Sequence, residues 1–183
     1  MNIAVYISSK FGNDEKYERK AVELGEAIAE MGHTLVYGGS REGLMGVLAE
    51  AAVAKGGDAI GVLPSFFIGK VHHVKGLKEE IIVDTMAERR NVMIELSDLF
   101  IAFPGGPGTL DELSEIMTLE KLDQVNGELI LYNLDGYYDS LCDFIKKMMS
   151  EGFLFENELE NIIIFDTIDE IIQYINNKEK KEV

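Results

Sequence analysis

One nine-residue segment combines glycines and prolines with a hydroxyl and two carboxyl side chains. Residues 104–112 read Pro-Gly-Gly-Pro-Gly-Thr-Leu-Asp-Glu and follow a run of apolar residues. Glycine lets a backbone approach a ligand closely, and a helix that begins near Thr109 directs free N–H groups and its positive end toward the same space. The segment therefore predicts an anion-binding turn. A tight strand-to-helix connection capped by Thr109 is the structural alternative.

Three charged side chains are candidates for chemistry beside such a turn. Glu112 falls in the first turn of the helix that follows the glycines, where it would lie close to a bound anion. Arg89 and Arg90 are the one adjacent arginine pair in the chain. Arginine stays protonated, so it can orient an anion or stabilise charge but cannot act as a base. The alternatives are an acid that stabilises the helix dipole and a solvated arginine pair.

Two other turns are rich in small residues, at 8–12 and 38–46, but neither carries a standard phosphate motif. The second turn has Leu44 and Met45 where a P-loop requires lysine and a hydroxyl. Asp111 stands where the third glycine of a dinucleotide fingerprint would follow the glycines of 104–108. These departures disfavour a P-loop kinase and an NAD enzyme.

The composition excludes several other classes. The chain has 17 Lys+Arg and 33 Asp+Glu, and its net charge of −16 makes nucleic acid an unfavourable partner. A single cysteine, Cys142, excludes an internal disulfide and a thiolate zinc cage. His72 and His73 are adjacent, which rarely suits one metal, so no metal site is predicted. No apolar run reaches the roughly 18 residues of a membrane span, and no signal peptide is evident, so we expect a cytoplasmic protein.

Apolar runs alternate with amphipathic stretches along the whole chain. Strands are predicted at residues 3–8, 34–37, 59–63, 80–83, 99–103, 128–132 and 162–165. Helices are predicted at about 14–31, 43–55, 85–97, 109–124, 137–150 and 167–177. The runs are mostly continuous, as in strands buried on both faces, so the pattern predicts one doubly wound α/β domain with a mainly parallel sheet of about seven strands.

This domain is expected to span residues 1–177, followed by a charged tail at 178–183 that frays. Residues 61–80 are the least regular stretch and are expected to form a loop at the strand ends. Ligands of open parallel sheets bind beyond the carboxyl ends of the strands. All three small-residue turns follow strands, which predicts a shared pocket of nucleotide size.

The motifs together resemble the Lonely Guy family of cytokinin riboside 5′-monophosphate phosphoribohydrolases. Residues 104–112 match its PGGxGTxxE signature, and the other matching blocks keep the family's order over residues 3–155. These blocks are Val5-Tyr6 with Ser9 and Gly12, Tyr37-Gly38-Gly39, Gly43-Leu44-Met45-Gly46, Met86 through Arg90, and Asn133 through Tyr138. Several positions differ from the family pattern: Lys10 replaces a serine, Ser40 a glycine, Ala87 a histidine and Arg90 a lysine, and Ile7-Ser8 replaces a Cys-Gly pair.

The resemblance implies a Rossmann-like domain that forms a homodimer and needs no metal or organic cofactor. It identifies Arg89 and Glu112 as the catalytic pair. The substrate contacts that it implies are Arg90, Gly105, Gly106, Pro107, Gly108, Thr109, Leu110, Asp111, Thr118, Ser9 and Gly39. Thr118 is six residues beyond Glu112, about 240° further round an ideal helix, so a partner chain or a bend would have to bring the two together.

Three functions fit these residues. The first is hydrolysis of the N-glycosidic bond of a purine nucleoside 5′-monophosphate, such as AMP or an N6-substituted relative. The second is a nucleotide- or cofactor-binding carrier or sensor without turnover, on a similar fold. The third, a lysine decarboxylase, requires a lysine for pyridoxal phosphate, and Lys10 is the one lysine in the three turns. Retention of Arg89 and Glu112 favours the hydrolase.

Overall fold

The computed structural model describes residues 1–125, 127–155 and 162–182. Within them the strands are β1 Asn2–Tyr6, β2 Thr34–Tyr37, β3 Ala59–Pro64, β4 Glu79–Val83, β5 Leu99–Ala102, β6 Glu128–Tyr132 and β7 Ile162–Phe165. The helices are α1 Lys16–Glu30, α2 Gly43–Ala54, α3 Met86–Glu95, α4 Pro107–Lys121, α5 Asp139–Ser150 and α6 Ile168–Glu182. Short 3₁₀ turns lie at Ser65–Phe67 and Leu134–Gly136.

The seven described strands form one sheet in the order β4-β3-β2-β1-β5-β6-β7, and every described pair is parallel. The chain moves outward from β1 to β4, then returns to the other side of β1 with β5. This reversal places the switch point of the sheet between β1 and β5, where the following loops diverge and leave a crevice. The predicted doubly wound α/β fold is confirmed.

Helices cover both faces of the sheet. The helices α1, α2 and α6 bury apolar residues such as Leu24, Leu48 and Ile171 against one face. The other face is covered by α3, α4 and α5, where Met93 and Ile116 are fully buried. Among the described residues, no helix is long and apolar enough to span a membrane.

Several boundaries differ from the sequence-based ones. The α4 helix begins at Pro107 and its N-cap is Gly106, so Thr109 is inside the helix and not its cap. Proline favours this start because it is preorganised for the first helical position and lacks only an N–H that would be unpaired there. The irregular stretch narrows to residues 65–78, because β3 continues to Pro64 and β4 begins at Glu79.

The α6 helix continues well past residue 177, where it was expected to end. Ile171 and Ile175 of this helix are fully buried, and the Nζ atom of Lys178 lies 2.8 Å from Oε2 of Glu128 at the start of β6. Lysine and glutamate are good helix formers. The charged residues up to Glu182 therefore extend the helix, so the predicted helix end at residue 177 is wrong, while fraying of the charged tail stays a prediction.

Candidate active site

A cavity of about 520 Å³ opens at the carboxyl ends of the strands, at the switch point of the sheet. The loops after β1, β2, β3 and β5 and the starts of α3 and α4 enclose it, as the three small-residue turns predicted. Its lining residues are Ile7, Ser8, Ser9, Lys10, Gly38, Ser40, Glu42, Met45, Leu63, Phe67, Val71, Met86, Arg89, Gly106, Pro107, Gly108, Thr109 and Glu112.

Arg89 and Glu112 meet at the base of the cavity. Nη1 of Arg89 donates to Oε1 of Glu112 over 2.8 Å, and the two side chains are only 9% and 7% exposed. Nε of Arg89 also donates to the carbonyl oxygen of Val62 over 3.2 Å. The guanidinium is therefore fixed by β3 and fixes the carboxylate in turn. Arg89 is therefore not the solvated surface group that was the alternative explanation for the arginine pair. Glu112 lies in the second turn of α4 and not in the first turn, where an acid that stabilises the helix dipole was the alternative.

The environment of Glu112 acts on its protonation in opposite directions. Burial raises the pKa of the carboxyl group above its ordinary value, while the charge and hydrogen bond of Arg89 oppose that rise. The net result is a raised pKa. A carboxylate kept out of water and held by one arginine exerts a stronger electrostatic effect on a nearby cationic centre than a solvated one.

The position of the Arg89 guanidinium depends on a missing side chain at residue 38. A Cβ atom on Gly38 would lie 1.8 Å from Nη2 of Arg89 and 2.9 Å from Sδ of Met45. Both distances are far below van der Waals contact. Gly38 therefore provides the space in which the arginine lies, which explains the first glycine of the Tyr37-Gly38-Gly39 block.

The glycines of the 104–112 turn have two different roles. A Cβ atom on Gly105 would lie 2.1 Å from Oγ1 of Thr109, so this glycine is required by the packing of the turn. At Gly106 and Gly108 an added Cβ would meet nothing within 4 Å. Both of these glycines line the cavity at the N-terminus of α4. Their open faces leave room for a ligand to reach the backbone N–H groups at the positive end of the helix.

Two adjacent tyrosines hold this turn from behind. The Tyr137 hydroxyl donates to the carbonyl oxygen of Gly105 over 2.5 Å, and the Tyr138 hydroxyl donates to that of Phe103 over 2.8 Å. Sequence reasoning gave these tyrosines no role in the site. The one signal in the sequence was that both tyrosines belong to the Asn133–Tyr138 block of the family resemblance. In the structure, Asn133 Oδ1 accepts a 2.7 Å hydrogen bond from the Tyr138 backbone N–H within this block.

Most of the predicted contacts lie at the cavity, but several do not. Ser9, Gly106, Pro107, Gly108 and Thr109 line it together with Arg89 and Glu112. The predicted residues that do not line it are Gly39, Arg90, Gly105, Leu110, Asp111 and Thr118.

Two of these residues, Arg90 and Thr118, contact other residues of α4 outside the cavity. Arg90 forms ion pairs with Asp111 over 3.0 Å and with Glu115 over 2.6 Å. Thr118 is exposed and donates from Oγ1 to the carbonyl oxygen of Ser114. A single chain therefore does not bring Thr118 to Glu112, and this agrees with the prediction from the helical spacing. The roles assigned to Arg90 and Thr118 stay predictions.

An apolar wall, which sequence reasoning missed, stands across the cavity. Phe67 and Val71, from the irregular 65–78 segment, line it together with Leu63, Met45 and Met86. Residues of an irregular loop follow neither helix nor strand periodicity, so only the fold could place these side chains at the cavity. The cavity lining thus combines polar side chains and glycines at a helix N-terminus with apolar side chains of a kind suited to a planar ring.

The comparisons with known proteins agree with this architecture. Residues 45–175 match the family model described as "Possible lysine decarboxylase". The chain is 37% identical over 179 residues to the cytokinin riboside 5′-monophosphate phosphoribohydrolase of Rhodococcoides fascians, covering 96% of this chain and 89% of the relative. It is 39% identical over 170 residues to the enzyme of that name, LOG, of Oryza sativa subsp. japonica, covering 93% and 70% of the two chains.

Among solved structures, the molybdenum cofactor carrier protein of Chlamydomonas reinhardtii superposes with a TM-score of 0.72 at 22% identity, over 96% of each chain. The molybdenum cofactor binding protein of Rippkaea orientalis gives 0.69 at 24% identity, over 96% of this chain and 95% of that one. These likenesses concern the fold alone. The family match and the sequence relatives go further: the chain belongs to the Lonely Guy family, whose model carries the lysine decarboxylase description.

Proposed function

We propose that this protein hydrolyses the N-glycosidic bond of a purine nucleoside 5′-monophosphate and releases the free base and ribose 5-phosphate. AMP or an N6-substituted relative is the substrate class, in keeping with the names of the sequence relatives. The observation that carries the proposal is the buried Arg89–Glu112 pair in a cavity that the open glycines Gly106 and Gly108 also line.

The glycine turn would hold the 5′-phosphate. The backbone N–H groups of Gly108 and Thr109 are at the second and third positions of α4, where no intrahelical acceptor exists for them. The Thr109 hydroxyl is a further donor at the cavity lining. Hydrogen bonds of this kind to a charged group contribute about 1.5–3 kcal/mol each. A phosphate held there would place the ribose over Glu112.

Glu112 would act on the ribose itself. Departure of the base leaves positive charge on the sugar ring, as in glycoside hydrolysis. The Glu112 carboxylate would stabilise that charge and align the attacking water, and Arg89 would keep the carboxylate ionised and oriented. The bond between the ribose and the base breaks with its electron pair on the base, water supplies the new oxygen, and a proton from water completes the base.

The test is an assay for free base. Purified protein is incubated with each common purine and pyrimidine nucleoside 5′-monophosphate and, separately, with the nucleosides, and the products are separated by chromatography. We expect AMP to exceed adenosine by about 10³-fold in kcat/KM, equivalent to about 4 kcal/mol. Cleavage of adenosine within tenfold of AMP would show that the glycine turn does not anchor the substrate.

The alternative is a carrier or sensor that binds a nucleotide or cofactor without turnover. It predicts phosphate-dependent binding of AMP with no free adenine from any substrate. A buried ion pair costs desolvation energy that a simple binding site for an anion does not require. The Arg89–Glu112 pair therefore supports the hydrolase over the carrier.

We further infer a cytoplasmic homodimer that acts on small molecules and not on nucleic acid. The net charge of −16 opposes contact with a phosphate backbone. Helices α3 and α4, which present Arg89 and Glu112, also carry the partly buried residues Val92, Ile94 and Met117. A second copy that covers this face would shield the site from the side opposite the apolar wall.

A further inference from the structure

A second, smaller cavity adjoins the active-site cavity, and Lys10 lines both. The second cavity has a volume of about 190 Å³ and is lined by Ser8, Lys10, Phe11, Gly12, Tyr17, Leu44, Pro104, Gly105 and Tyr137. The glycine turn is divided between the two cavities, with Pro104 and Gly105 on one side and 106–109 on the other. Lys10 and the glycine turn therefore border the same space from both sides.

Lys10 also differs from the other charged groups of the active-site cavity. Four charged side chains line that cavity: Lys10, Glu42, Arg89 and Glu112. Arg89 is neutralised by Glu112, and Glu42 contacts His72 over 3.2 Å. Among the described residues, no carboxylate lies within ion-pair distance of Lys10. Arg90, the nearest alternative cation along α3, is already held by two carboxylates outside the lining.

We propose that Lys10 is a binding residue for the 5′-phosphate of the substrate and supplies the positive charge that the glycine turn lacks. This inference rests on the proposed function, because it assigns the phosphate to the turn at 105–109. Backbone N–H groups are neutral donors, and a site in a chain of net charge −16 gains from a full positive charge beside the anion. The ammonium group offers three donors on a flexible stem, which suits a tetrahedral phosphate.

The local structure supports this role. The backbone N–H of Lys10 donates to Oγ of Ser8 over 3.0 Å, which fixes the turn from which the side chain projects. The same turn is held against α2, because the backbone N–H of Met45 donates to the carbonyl oxygen of Ser8. The lysine stem therefore starts from an ordered position while its charged end remains free to meet a ligand.

The test compares Lys10→Met with the wild type. Methionine keeps the length of the side chain and removes its charge. We expect KM for AMP to rise about tenfold with kcat nearly unchanged, as removal of one charge-assisted contact implies. The kcat/KM for adenosine should stay within twofold, since adenosine has no phosphate. Increasing salt should weaken AMP binding to the wild type more than to the variant.

Two further variants separate charge in the site from charge in general. Lys10→Arg should keep KM for AMP within about threefold of the wild type, because a guanidinium also binds phosphate. Lys75→Met makes the same change in net charge at an exposed residue that lines neither cavity, and should leave KM unchanged. An unchanged KM for AMP in Lys10→Met, or an equal loss with adenosine, overturns the proposal.

Calorimetric titration with AMP and with ribose 5-phosphate keeps this test independent of turnover. If AMP binds, no base is released and Lys10→Met weakens binding tenfold, the hydrolase proposal fails and the phosphate contact stands. If AMP is cleaved but both ligands bind Lys10→Met as they bind the wild type, the hydrolase stands and the contact is wrong.

Discussion

Arg89 and Glu112 are joined by a 2.8 Å hydrogen bond although 22 residues and an entire strand separate them in the chain. The bond links α3 to the first turns of α4, and the hydrogen bond of Arg89 to Val62 extends the link to β3. Three elements therefore determine where one carboxylate lies. Such preorganisation is what electrostatic stabilisation of a transition state requires.

The first prediction concerns the charge of Glu112. Glu112→Gln keeps the shape of the side chain and an oxygen that can accept from Arg89, so the fold should be retained. We expect kcat to fall at least about 100-fold, the scale of a positioned charge-stabilising group. AMP binding should be retained or slightly stronger, because a negative neighbour of the phosphate is gone. Steady-state kinetics and calorimetry measure both quantities.

Glu115→Gln is the matched control for this variant. Glu115 is on the same helix, pairs with Arg90 and does not line the cavity. Its replacement should change kcat by less than about threefold, in line with the small contribution of a partly exposed ion pair. Wild-type turnover in Glu112→Gln would disprove the catalytic assignment. Because burial raises the pKa of Glu112, wild-type kcat should decline with falling pH earlier than for an ordinary glutamate.

The second prediction separates ligand-facing glycines from structural ones. Gly106→Ala and Gly108→Ala add a methyl group where the protein has no atom within 4 Å, so neither creates a clash. Gly108→Ala, inside α4, should leave thermal stability unchanged or slightly higher, and Gly106→Ala, at the N-cap, should lose only the preference of that position for glycine over alanine. KM for AMP should rise about tenfold or more, because the methyl group intrudes on the phosphate. Gly105→Ala, which would clash with Thr109, should instead lower the melting temperature. Equal effects of all three variants on stability would contradict this division.

The third prediction concerns the hydroxyl of Tyr137. Tyr137→Phe removes the hydrogen bond to the Gly105 carbonyl and leaves the ring in place. The glycine turn should become less ordered, and KM for AMP should rise about three- to tenfold for a loss of about 1 kcal/mol. Tyr17→Phe removes a hydroxyl from the neighbouring ring, which packs edge-on against Tyr137, and serves as the control. A similar KM in both variants would refute the positioning role.

The fourth prediction follows from Glu120, a carboxylate at the far end of α4 from the site. It is buried, with both carboxyl oxygens kept from solvent. Burial raises its pKa from 4.5 to about 7; the backbone N–H of Leu129 opposes the rise and Glu128 adds to it. A group whose folded-state pKa is raised favours folding at low pH, and that contribution is lost as the pH rises through about 7.

Glu120→Gln should therefore stabilise the protein at pH 8 and have little effect at pH 5. Allowing for water that reaches the carboxylate, we expect about 1 kcal/mol at pH 8, or a rise of about 2–4 °C in melting temperature for a chain of this size. Thermal unfolding followed by circular dichroism across this pH range measures the effect. The opposite pH dependence, with stabilisation confined to pH 5, would contradict the assignment.

The fifth prediction is the oligomeric state. Analytical ultracentrifugation at micromolar concentration should give the mass of two 20.4 kDa chains. Charged substitutions at partly buried apolar positions of the α3–α4 face, such as Met117→Glu, should shift the protein toward monomer and lower activity together. A fully active monomer would refute both the dimer and its proposed contribution to the site.

Periodicity and turn chemistry predicted the sheet and its helices, because strands buried on both faces and glycine-rich turns have strong local patterns. The family resemblance singled out Arg89 and Glu112, which the structure joins by a hydrogen bond, and their catalytic roles stay a prediction. The apolar wall of Phe67 and Val71 was missed, since its residues have no periodicity and come together only when β3 and β4 pair. The helix start was expected near Thr109 but lies at Pro107, because proline favours the first helical position, so the alternative in which Thr109 caps the helix is wrong. The hydrogen bond from the Tyr137 hydroxyl to the Gly105 carbonyl joins two loops that are distant in the sequence, so no local pattern could predict it.

The empty space at Gly38 constrains how this site can change over generations. With the Arg89 guanidinium in its present position, the Cβ atom of any other residue at position 38 would overlap Nη2, so glycine is the residue that leaves the arginine where it lies. A lineage that loses Arg89 is released from that restriction and can then accumulate larger residues at position 38. Arginine can then take up its present position again only where residue 38 is glycine. A glycine at position 38 in a related sequence therefore marks a site with room for the arginine.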